Sequence, residues 1–94
     1  MHVHNLALID EIQKQANLIR LDVLDMVYRR QAGHLGGSYS AAEILAALYF
    51  HQLRIDPQNP GWEERDRFLL SKGHAAAALY SALARRGFFP LEEL

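Results

Sequence analysis

Cysteine is absent from this chain, so it can form neither a disulfide nor a thiolate metal site, a composition that fits a cytosolic protein. A basic excess is absent too: ten Lys and Arg stand against eleven Asp and Glu, for a formal net charge of -1. Nothing in that balance points to nucleic acid or to an anionic membrane surface. Apolar runs are broken every few residues, far short of the ~20 that a membrane span needs. The opening Met1-His2-Val3-His4-Asn5 has neither a charged n-region nor an apolar h-region, so it does not read as a secretory signal. These absences predict a cytoplasmic protein without nucleic-acid or membrane partners. Half of the residues are hydrophobic and 22% are charged, the balance of a globular chain. At 94 residues it amounts to at most one small domain.

Three helices are legible. Ile12, Ala16, Ile19, Val23 and Met26 repeat at spacings of four and three, predicting a buried stripe on a helix over 5–31. Leu21, Leu24 and Tyr28 widen the apolar face, so the second half is expected to be the more buried. Gly33 offers a left-handed stop. Ser40-Ala41-Ala42-Glu43 matches a capping box, which predicts a second helix starting at Ser40, buried through Ile44, Leu45, Leu48 and Tyr49 and ending near Leu53. Asp56-Pro57-Gln58-Asn59-Pro60-Gly61 reads as an ordered turn, with Trp62 pinning it to the core. The short apolar run Phe68–Leu70 reads as a strand, and Ala75–Arg86 as the third helix, stopped at Gly87. Pro90-Leu91-Glu92-Glu93-Leu94 reads as the first turn of another helix. The predicted class is α/β, mostly helical with one short strand. A lone strand and a helix that only begins both lead to the expectation of an N-terminal piece of something larger.

Chemistry concentrates at two glycine–histidine loops, Gly33-His34-Leu35-Gly36-Gly37 and Ser71-Lys72-Gly73-His74. The second joins the apolar run to a helix start, where unpaired N–H groups and the dipole favour phosphate. Gly73 would let a ligand approach the backbone, while His34 and His74 can donate, accept and titrate near neutral pH. The plain alternatives are a solvent-exposed loop histidine for His34 and a backbone-satisfied helix-start histidine for His74. Lys72 could reach a phosphate, although a solvated lysine is commoner. Asp66 between two arginines reads as a structural ion pair or turn anchor rather than a catalytic acid, and His51 as a surface or interface residue. Tyr28, Tyr49 and Tyr80 read as core or interface, while His2 and His4 make at best a poor metal site.

Taken in order, these segments resemble the start of transketolases. The match runs through Ala16-Asn17-Leu18-Ile19-Arg20, Gly33–Ser38, Ser40–Leu45, Asn59-Pro60-Gly61-Trp62, Arg65–His74 and Gly87–Leu94. Ser71-Lys72-Gly73-His74 is most similar to the form found in split transketolases, whose N-terminal part is a separate polypeptide. The resemblance implies that residues 1–94 are the N-terminal portion of a thiamine-diphosphate-binding domain. It also implies transfer of a two-carbon ketol unit between sugar phosphates, with thiamine diphosphate and Mg2+ as cofactors. His34 matches the histidine that handles the sugars, and His74 the one beside the diphosphate, with Lys72 and Gly73 as its cofactor-binding neighbours. The family's Gly-Asp-Gly metal motif and its pyrimidine-binding domain have no counterpart among these residues. The expectation is therefore a chain that is inactive alone and assembles with itself or with a companion transketolase chain. A non-catalytic assembly or partner-binding module is the alternative.

Overall fold

The computed structural model describes residues 6–30 and 35–94, with the backbone only at Arg30, Leu35 and His74. Helix α1 runs over Leu6–Arg30, α2 over Leu35–Ala47 and α3 over Ala76–Arg86, and each packs against the other two. The expected stripe of α1 forms its inner face: Ala16, Ile19 and Val23 are fully buried, Met26 nearly so, and Ile12 packs at its edge. They meet Ala42, Leu45 and Ala46 of α2 and Ala78 and Ala82 of α3. So many alanines in one core let the helix backbones approach closely.

Leu21, Leu24 and Tyr28 do not extend that face. They are 61%, 46% and 77% exposed. At 100° per residue they fall on the side of α1 opposite Ile19 and Val23, and α2 and α3 cover only one side. Ile44 is likewise exposed, on the outer side of α2.

Helix α2 starts at Leu35, five residues before Ser40, so the capping-box expectation does not hold. Ser38 is fully buried and Tyr39 packs on the core, so tertiary burial carries the helix through Gly36 and Gly37 despite their poor propensity. Glu43 turns outward to pair with Arg20 of α1 instead of reaching back to a cap. After Ala47 the helix widens into a π-helical turn, Leu48–Gln52, closed by Leu53 N–H donating to Leu48 O at 2.8 Å. The carbonyl of Tyr49 receives Arg86 Nε–H from α3 at 2.8 Å. Tyr49 is buried, its ring edge-on to Phe68 at 6.0 Å between centroids.

No strand occurs among the described residues, which corrects the expectation for Phe68–Leu70. A strand exists only through ladder bonds to a neighbour, and among the described residues this segment has none beside it. Phe68 packs inward while Leu69 is 89% exposed. The preceding connection is ordered by turns. Asp56 Oδ1 accepts Gln58 N–H at 2.9 Å, and its carbonyl accepts Asn59 N–H at 2.9 Å. Trp62 is half-buried and is not among the residues packed on the core cluster; its carbonyl accepts Arg65 Nη1–H at 2.7 Å.

A 3₁₀ turn over Gly73–Ala75 leads into α3. Arg85 and Arg86 occupy the last turn, and Gly87 at φ 106° ends the helix. Gly87 N–H donates to Ala84 O at 3.0 Å and Phe88 N–H to Leu83 O at 3.0 Å, the two bonds of a Schellman motif. The predicted stop is thus confirmed, and Leu91–Glu93 forms a 3₁₀ turn after Pro90.

One polar cluster ties α1 to α3. Asp22 accepts Arg85 Nε–H and Nη2–H at 2.8 and 2.7 Å, a bidentate pair, and the hydroxyl of Ser81 at 2.7 Å. Ser81 is fully buried, and the pair is mostly shielded from water.

Candidate functional site

The second glycine–histidine loop is built by a change of backbone state. Lys72, at φ -98° and ψ 88°, ends the extended segment, and its carbonyl accepts Ala75 N–H at 2.9 Å to start the 3₁₀ turn. Ala75 is fully buried, and the turn packs on α2 as well as α3. Gly73 is exposed, and a Cβ built on it meets nothing within 4 Å. Open space at that position fits the close approach of a ligand to the backbone.

Of the first glycine–histidine segment, Leu35, Gly36 and Gly37 are not a loop but the opening residues of α2. Gly36 is exposed and also open at its Cβ position. Ser40, four residues on, joins the two segments. Lys72 Nζ donates to Ser40 Oγ at 2.7 Å, and Ser40 Oγ donates to Gly37 O at 3.1 Å. The structure therefore brings together Lys72, Gly73 and the first turns of α2. Gly33 and His34 lie outside the described residues, as do His2 and His4 and the side chain of His74.

Two carboxylates nearby in sequence, Glu43 and Asp66, have structural partners. The Arg20 guanidinium, more than any other group, holds the Glu43 carboxyl below its ordinary value, so Glu43 is an ion and not a proton donor near neutral pH. Asp66 accepts Arg54 N–H at 2.7 Å and Arg54 Nη2–H at 3.2 Å. That backbone donor first, and then the guanidinium, lower its pKa. Asp66 is thus both a turn anchor and an ion pair, its partner being Arg54 rather than the flanking Arg65 or Arg67. Burial raises the Tyr49 phenol, which stays protonated. His51 is exposed, and of Tyr28, Tyr49 and Tyr80 only Tyr49 is core, the other two being exposed. Two surface hollows lie away from this site, one along Leu21, Leu24, Asp25 and Tyr28 and one between Tyr49, Arg65, Phe68 and Phe88.

A family model described as transketolase, thiamine diphosphate binding domain, matches residues 11–94. The chain belongs to the transketolase family, in its thiamine-diphosphate-binding domain. It is 56% identical over 84 residues to 6-deoxy-6-sulfo-D-fructose transketolase subunit SqwG of Clostridium sp. (strain MSTE9), a match covering 89% of this chain and 30% of that protein. It is 44% identical over 82 residues to an apulose-4-phosphate transketolase subunit of Phocaeicola vulgatus, covering 87% and 28%. With the transketolase of Mus musculus the identity is 43% over 86 residues, covering 88% and 13%. The chain thus spans less than a third of the length of these relatives.

The described residues fit the two cofactors differently. Exposed Lys72 and open Gly73 suit the phosphate end of thiamine diphosphate. Among the described residues no group of three or more His, Cys, Asp or Glu could hold a metal ion. Mg2+ takes oxygen ligands in near-octahedral geometry, and these residues do not assemble them. No helix among the described residues is long and apolar enough to cross a membrane.

Sequence reasoning missed Ser40 as part of this site. The capping pattern assigns its hydroxyl to a helix start, and nothing local links it to a lysine 32 positions away.

Proposed function

We propose that residues 1–94 are the N-terminal portion of the thiamine-diphosphate-binding domain of a transketolase-type enzyme that moves a two-carbon ketol unit between sugar phosphates. The observation that carries this reading is the tie between the two glycine–histidine segments, Lys72 to Ser40 to Gly37, in a chain of this family. It holds Lys72 and Gly73 beside the first turns of α2. When bound, thiamine diphosphate supplies the carbanion stabilisation that cleaving a ketose carbon–carbon bond requires. This chain's part is to bind and orient. Gly73 admits the diphosphate to the backbone, Lys72 and His74 donate to it, and His34 handles the hydroxyls of the donor and acceptor sugars.

The complete domain is α/β, its parallel sheet and its Mg2+ ligands supplied outside the described residues. The domain works in an assembly with itself or with a companion transketolase chain, in the cytoplasm. Two relatives are subunits by name, which supports a divided enzyme. The exposed apolar residues Leu21, Leu24, Tyr28 and Leu69 support association. They would equally serve a second reading, an assembly module without catalysis.

Calorimetric titration separates these readings. Thiamine diphosphate with Mg2+ is expected to give no tight binding to the chain alone and micromolar binding once the companion chain is present. Micromolar binding to the chain alone overturns the incomplete-site account, and no binding to the assembly favours the non-catalytic module.

A further inference from the structure

We propose that Ser40 is a positioning residue: by holding the Lys72 ammonium, its hydroxyl fixes the Lys72–Ala75 turn, and with it Gly73, against the first turns of α2. A serine hydroxyl has one donor and two acceptor lone pairs, so it can bond in two directions at once. Here it donates to Gly37 O at 3.1 Å and accepts Lys72 Nζ–H at 2.7 Å. The chain of bonds begins two residues before His74 and ends three residues after His34.

The early start of α2 makes this possible. With the helix running from Leu35, Ser40 is an interior position and its hydroxyl is not committed to capping. Lys72 is a suitable handle because its two ends do different things. Its carbonyl accepts Ala75 N–H at 2.9 Å and so starts the turn, while its ammonium reaches α2. The turn packs on α2, and Ala75 of the turn and Ala42 of α2 are both small and fully buried. Such packing brings backbones close but offers little resistance to one segment sliding along another. A short, directional, charge-assisted hydrogen bond supplies that resistance.

The tie also changes what Lys72 can do. One of its three N–H donors is spent on Ser40, and the other two remain for an anionic oxygen. A lysine already held in place loses less rotamer freedom on meeting a phosphate than a solvated one does. This catalytic consequence rests on the transketolase reading; the tie itself does not.

The test compares Ser40→Ala, Ser40→Thr and Lys72→Met by amide hydrogen exchange in the 94-residue chain, and the two Ser40 variants by steady-state kinetics in the assembly with the companion chain. Ser40→Ala is expected to speed exchange at Ala75 and Ala76 by roughly fivefold or more while core amides such as Val23 stay unchanged. Lys72→Met should match it, the double variant should add nothing, and Ser40→Thr should keep the slow rates. In the assembly, Ser40→Ala should lower kcat about tenfold with the sugar KM within about twofold, and Ser40→Thr should restore kcat. Unchanged exchange in Ser40→Ala, or fast exchange in Ser40→Thr, overturns the tie. Faster exchange with kcat unaltered overturns the positioning role. If the unsubstituted assembly transfers no ketol unit, the transketolase reading fails, and the exchange rates alone decide the tie.

Discussion

Asp22→Ala is expected to destabilise the chain by about 2–4 kcal/mol, the cost of leaving a shielded guanidinium and a buried hydroxyl without their acceptor. Asp22 accepts three hydrogen bonds, two from Arg85 and one from Ser81, and Ser81 is fully buried. Water cannot easily replace the carboxylate there. A small domain has a total margin of roughly 5–15 kcal/mol, so this loss is a large share of it. Asp25 is the internal comparison. Its pair with Arg29 is also close, at 3.0 Å, but both side chains are half or more exposed. Asp25→Ala should therefore cost no more than about 0.5 kcal/mol. Urea unfolding followed by far-ultraviolet dichroism measures both. Equal costs for the two variants would show that the α1–α3 cluster contributes nothing beyond a surface pair.

The two candidate histidines should separate by function in the assembled enzyme. His34→Ala is expected to weaken sugar handling, raising the substrate KM and lowering turnover while cofactor affinity stays near normal. His74→Ala is expected to act at the cofactor end, losing affinity, rate or both. A lost hydrogen bond to a charged group is worth about 1.5–3 kcal/mol, roughly one to two decades in an equilibrium constant. Cofactor titration and steady-state kinetics on both variants, with dichroism as a folding control, read the difference. Unchanged kinetics in both would return the histidines to solvent-exposed and backbone-satisfied roles. A loss of helicity in either would make that residue structural.

Local rules in the sequence reached some of this and not the rest. The Ile12–Met26 stripe was legible because a 3.6-residue period records one buried side directly. The end of α3 was legible because Gly87 does there what a left-handed stop requires. Leu21, Leu24 and Tyr28 misled because hydrophobicity does not say which side of a helix is covered. Ser40 misled for a related reason. The capping pattern is a local rule, and Glu43 finds a charged partner in Arg20, 23 positions away, that no local rule includes. Phe68–Leu70 has the composition of a strand but no neighbour to pair with among the described residues. At the candidate site, the flanking glycines drew attention to His34 and His74, whereas the Lys72–Ser40 tie and the Asp22–Arg85–Ser81 cluster depend on contacts the order of residues does not contain.

The central claim, that this chain forms one side of a thiamine-diphosphate site, is tested most directly by ketol transfer between sugar phosphates, measured for the chain, for its companion and for the two together. The account predicts turnover only in the mixture, abolished when thiamine diphosphate or Mg2+ is withheld. Turnover by the companion alone at the rate of the mixture, or by this chain alone, would contradict it.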